Sequence, residues 1–123
     1  MDINFTGTGG ADAPDYQGIS TDGVTNITEL TILRCGAFGV NTGINTLSAG
    51  QTIIQDSTVS SLSGVTDDSG HGIRYGKTSA AGTLPSYHAL LGNYIDLGDA
   101  ADSGQVYAAR GFSPRHGIVS NNT

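Results

Sequence analysis

Aspartate is the abundant reactive residue of this chain; every acidic side chain except Glu29 is Asp. Cleaving a glycosidic bond needs two carboxyls facing it at a set separation. Asp56, Asp67, Asp68, Asp96, Asp99 and Asp102 are the candidates, and Asp56 beside Asp96 on stacked strands is the pairing to look for. Most of them flank Gly or Ser, where Asp serves turns, so solvated loop residues are the expectation. Asp67-Asp68 near His71 and Arg74 offers hard oxygen ligands of the kind calcium takes. Two adjacent acids lack the spaced ligands of a calcium loop, and no metal site is expected. His71, His88 and His116 are far enough apart in sequence to permit a triad or a zinc site. However, His71 and His116 each precede Gly-Ile, which suggests equivalent corner positions and a structural ladder. Lys77-Thr78 follows only Gly76, too little glycine for a phosphate loop. The expectation is no catalytic residue and no cofactor.

Tyrosine is the other chemically useful type. Tyr75, Tyr87, Tyr94 and Tyr107, with Phe112, carry apolar faces and polar edges that suit a sugar platform. Core packing and contacts between subunits compete for the same rings.

Charge narrows the partners. Net charge is −6, and the five basic residues do not cluster. Phosphate backbones and anionic lipid surfaces call for grouped Lys and Arg, so neither nucleic acid nor a membrane is an expected partner. No stretch reaches the length of a transmembrane helix. No basic segment followed by an apolar run marks a secretory leader. Cys35 is the sole cysteine, which rules out an intrachain disulfide and reads as a small buried apolar residue.

The elements that would position these groups are strands. The 123 residues hold 19 Gly, no Trp, 37% hydrophobic and only 13% charged residues. Such a mix is poor in helix formers and rich in strand and turn residues. Residues 1–22 read as an extended N-terminal arm and 23–123 as the body. Within the body one phrase recurs: a β-rich pair, some small or polar residues, then Gly and a β-branched residue. Ile32, Val59, Ile95 and Ile118 mark its four versions, at unequal gaps. Thr52 to Val59 reads as the strongest strand, and Tyr87 to Leu97 as a strand kinked at Gly92. Pro85 to Leu91 is a weak helical candidate. Irregular strand-and-turn repetition with variable loops points to a solenoid. Ending on a strand phrase at Asn121-Asn122-Thr123 suggests an open coil that a partner covers.

The segments NITELTILRCGAFGV, HGIRYG, LLGNYIDLG and HGIVSNNT resemble coils of right-handed parallel β-helices of the pectate-lyase-like kind. The resemblance spans about Gly23 to Thr123 and reports architecture rather than a reaction. It implies an all-β fold, a short right-handed parallel β-helix of about four irregular coils. A β-sandwich or jelly roll is the alternative. That fold serves polysaccharide lyases and hydrolases, and phage tailspikes and tail fibres. Low charge and abundant Gly, Ser, Thr and Asn look more like the phage group. The resulting expectation is a non-enzymatic virion protein, self-associating as a homotrimer with other virion proteins and possible contact with host surface polysaccharide. The alternatives are a capsid decoration protein, and a polysaccharide-degrading or glycan-binding fragment.

Overall fold

The structure, a computed structural model, describes residues 4–6, 17–21, 27–47, 49–60, 70–76, 87–96, 106–112 and 116–123. Twelve strands and no helix occur among them. They are β1 (Asn4–Thr6), β2 (Gln17–Ser20), β3 (Ile27–Leu33), β4 (Gly36–Phe38), β5 (Thr42–Thr46) and β6 (Ala49–Gln55). After these come β7 (Thr58–Ser60), β8 (Gly70–Gly76), β9 (Tyr87–Leu91), β10 (Tyr94–Asp96), β11 (Val106–Phe112) and β12 (His116–Ser120).

Each strand pairs with the one three places along. Sheet 1 has the order β1-β4-β7-β10, sheet 2 β2-β5-β8-β11, and sheet 3 β3-β6-β9-β12. Every described pairing is parallel. Parallel neighbours cannot be joined by a tight hairpin. The chain satisfies that rule by visiting the other two sheets before each return. A jelly roll or β-sandwich is built from antiparallel strands, so that alternative is not what forms. Strands β1 and β2 fall within residues 1–22 and pair with β4 and β5.

Register corrects the repeat markers. Val59 and Ile95 do pair. Ile32 instead pairs with Ile54, and Ile118 with Ala89, in sheet 3. The stretch Thr52 to Val59 is two strands, β6 and β7, because Asp56 takes a positive φ of 50° and turns the chain. Gly92, at φ 62°, separates β9 from β10, and residues from Tyr87 onward that suggested a helix are strand.

Three columns of side chains build the core. Ile32, Ile54 and Leu90 lie in register in sheet 3 and are buried. In sheet 1 the column is Ala37, Val59 and Ile95. The facing residues of sheet 2 are glycines. A Cβ on Gly18 would lie 2.6 Å from Ala37 Cβ, one on Gly43 2.6 Å from Val59 Cγ2, and one on Gly72 2.5 Å from Ile95 Cγ2. No packed pair of carbons tolerates those distances, so sheets 1 and 2 approach this closely only across glycine. Ile44 and Ile73, paired in sheet 2 and fully buried, complete the cluster. Burying a side chain of this size contributes about 1.5–3 kcal/mol.

One corner repeats in every round of the chain. It joins sheet 3 to sheet 1 at Arg34-Cys35, Asp56-Ser57 and Gly92-Asn93, and recurs after β12 at Asn121-Asn122. The first residue of each pair has a positive φ, 49°, 50°, 62° and 53° in turn. The second residues form a ladder. Cys35 N–H donates to Ser57 Oγ at 3.2 Å, Ser57 N–H to Asn93 Oδ1 at 3.0 Å, and Asn93 N–H to Asn122 Oδ1 at 2.9 Å. Asn93 Nδ2 donates back to Ile54 O at 2.9 Å, and Asn122 Nδ2 to Leu90 O at 2.8 Å. Buried backbone groups at a turn must find partners, and Asn supplies a donor and an acceptor from one side chain.

Candidate functional site

Alternation along a strand sends successive side chains to opposite faces. In sheet 3, Ile32, Ile54 and Leu90 point into the core, so their neighbours point out. Three outward rows cross the sheet in register. They are Glu29-Gln51-Tyr87-His116, Thr31-Ile53-Ala89-Ile118 and Leu33-Gln55-Leu91-Ser120. Leu33 is 45% exposed, Ile53 43%, Tyr87 46% and Ile118 62%. Glu29 is the one acidic or Lys/Arg side chain in the twelve positions. The Tyr87 and His116 rings stack at 5.0 Å, 13° from parallel. They border a groove of about 560 Å³ that also touches Gln51, Ile53 and Ile118.

The four tyrosines of the sugar-platform expectation fall on three different sheets. Tyr87 alone joins the sheet 3 groove. Tyr94 is exposed on β10 in sheet 1. Tyr75 is half-buried on β8, with its ring 5.4 Å from His88. Tyr107, on β11, stacks on His71 at 5.4 Å and lies under the Arg110 guanidinium, 4.6 Å from its ring centre. Phe112 ends β11.

The histidines are not equivalent either. His71 sits in sheet 2, in register with Tyr107, whereas His116 sits in sheet 3, in register with Tyr87. His71 is buried, and Arg110 Nη1 lies 3.2 Å from its Nε2. A guanidinium only donates, so Nε2 serves this contact as an acceptor. His88 is buried beside Thr52, its register neighbour, and burial lowers its pKa below the ordinary 6.5. Thr52 Oγ1 is buried and has no hydrogen-bond partner among the described residues.

Carboxylates do not converge as a hydrolytic pair would require. Asp56 occupies the corner after β6, where its carboxylate accepts from Gln55 Nε2 at 3.1 Å. Asp96 ends β10 in register with Ser60. The neighbour of Asp56 across the stack is Gly92, not Asp96. Asp67, Asp68, Asp99 and Asp102 lie outside the described residues. Among the described residues no three of His, Cys, Asp or Glu come together as metal ligands would.

Sequence reading missed the Tyr87–His116 stack, the Arg110–His71 contact and the Asn93–Asn122 ladder. The first two join residues far apart in sequence and depend on register. The ladder left a signal, because Asn93, Asn121 and Asn122 all sit at strand ends. Comparison with family models, with curated proteins and with solved structures returned no match.

Proposed function

We propose that this chain is a non-enzymatic structural module of a phage particle, a short right-handed parallel β-helix of four coils working as a homotrimer in a tail spike or fibre. The three-sheet rotation supports the β-helix reading, since strands that return to the same sheet every third element describe a coil. Right-handed crossover is the rule for parallel connections. The observation that carries the assembly role is the outer face of sheet 3. It places Leu33, Ile53, Tyr87 and Ile118 in the open with Glu29 as its one acidic residue. Contiguous exposed apolar surface marks an interaction site. Asp56 lies beside Gly92 and Asp96 pairs with Ser60, so this expected carboxylate pair does not face one bond. Immunolabelling of purified particles tests the placement. Label on the tail supports attachment, label on the head supports decoration instead, and unlabelled particles refute a virion role.

A second reading has its own observation. The stacked Tyr87 and His116 rings border the groove beside the Gln51 amide, and aromatic and amide groups together are of the kind that contact sugars. Glycan binding here predicts retention on host polysaccharide that Tyr87→Ala abolishes. The two uses compete for one face, so a stable oligomer closed over sheet 3 argues against a glycan in this groove.

A further inference from the structure

We propose that His71 and Arg110 form an acid-sensitive clasp: neutral His71 holds Arg110, and with it β11, against β8, and protonation of His71 releases that edge of sheet 2.

The contact works in one protonation state only. Arg110 Nη1 lies 3.2 Å from His71 Nε2. A guanidinium stays charged and accepts nothing, while an imidazolium carries N–H groups on both nitrogens. Protonated His71 therefore offers Arg110 no lone pair and sets a second cation against the first. Burial adds to the conflict. His71 is 2% exposed, and a charge held away from water is costly. Tyr107 joins the two groups. Its ring stacks on His71 at 5.4 Å, 11° from parallel, and the Arg110 guanidinium carbon lies 4.6 Å from its centre.

Position in the sheet decides what gives way. Tyr107 and Arg110 belong to β11, which ends sheet 2 and pairs, among the described strands, with β8 alone. A strand held on one side opens more cheaply than one held on both. When β11 lifts, water reaches the charged ring and the two cations separate.

The ionisable groups around β8 are few. Its own strand adds Arg74 and Tyr75. Of the strands packed on it, β5, β6 and β7 carry none, β9 carries Tyr87 and His88, and β11 carries Tyr107 and Arg110. β10 approaches through Ile95 opposite Gly72, and also carries Tyr94 and Asp96. Asp96 is exposed, and alternation sends it to the side of β10 away from Ile95.

Amide hydrogen exchange at pH 7.5 and pH 5.5, corrected for the intrinsic rate at each pH, tests the clasp. The ordinary value for a freed imidazole is about 6.5. Uptake of one proton on opening then raises the opening equilibrium about tenfold across that range. Protection of β11 should fall by that factor relative to β5, which reports global unfolding. His71→Gln keeps an acceptor for Arg110 and cannot be protonated, so its β11 should hold its protection relative to β5. A β11 that tracks β5 in the parent chain, or that still loosens in acid in His71→Gln, would overturn the proposal. Proton uptake by the His71 ring, followed by NMR of its Cε1–H, gives a test that does not need the Gln variant. Arg110→Met should move that uptake to higher pH, and an unmoved titration would overturn the contact on which the clasp depends.

Discussion

Asn122 Oδ1 accepts two hydrogen bonds from Asn93, one from its backbone N–H at 2.9 Å and one from its Nδ2 at 2.8 Å. Asn93 in turn accepts from Ser57 N–H and donates to Ile54 O. Asn93 is 1% exposed, so these bonds form away from water and link three successive levels of the chain. A corner with a positive φ leaves backbone groups that no strand neighbour reaches, and this ladder supplies their partners.

Asn93→Ala removes the partner of Ser57 N–H and one of the donors to Ile54 O. A buried group left unpaired costs about 1–3 kcal/mol. The expected loss of stability is therefore about 1–3 kcal/mol, read as a lower urea midpoint. A loss under about 0.5 kcal/mol, within the range of an ordinary surface change, would mean the ladder contributes little.

The close approach of sheets 1 and 2 gives a second expectation. A methyl on Gly43 meets Val59 Cγ2 and the Gly72 carbonyl oxygen, at 2.6 and 2.7 Å. Gly43→Ala should cost about 1–3 kcal/mol through overpacking. Val59→Ala clears part of that space. The double variant should therefore be more stable than the sum of the two single losses predicts, by more than the roughly 0.5 kcal/mol seen for independent sites. Strict additivity in denaturation would show that the two residues do not share the space.

Thr52→Val tests a buried hydroxyl. Thr52 is 2% exposed, and its Oγ1 bonds to nothing among the described residues. Replacing an unsatisfied hydroxyl by a methyl of the same shape is nearly neutral or stabilising. The urea midpoint should stay or rise. A loss above about 1 kcal/mol would show that Oγ1 makes a hydrogen bond that matters, since a net bond is worth about that much.

Stability should fall in mild acid through His88. Burial holds its folded pKa below the ordinary 6.5. The unfolded chain then takes up a proton at higher pH than the folded chain does. Its contribution is complete above the unfolded value and declines as pH drops through 6.5 toward the folded value. The urea midpoint should therefore fall between pH 7.5 and pH 5.5, and His88→Gln should flatten that slope. An unchanged slope in the variant would assign the acid response elsewhere.

Strand content was legible because Ile, Val and Thr occur in short runs between Gly and Asn, and β9, β11 and β12 begin within about one residue of where those runs do. Return of the chain to earlier strands was also legible in outline. The partners were not. Ile32 and Val59 carry the same pattern yet sit in different sheets, because the break at Asp56-Ser57 looks like ordinary polar strand sequence. Only a positive φ there separates β6 from β7, and Asp accepts one more readily than most residues. Gly18, Gly43 and Gly72 lie inside strands, where the facing residues leave no room for a Cβ. His71 and His116 share the local phrase His-Gly-Ile and no structural position. Local pattern specified the elements, whereas register decided which side chains meet.

Self-association through an exposed strand face is the central claim, and sedimentation equilibrium of the chain at micromolar concentration tests it most directly. The account predicts a particle of about three times the 12.5 kDa chain mass, reduced toward the single-chain mass by Ile53→Asp with Ile118→Asp. A parent chain that sediments at 12.5 kDa across that range would contradict it.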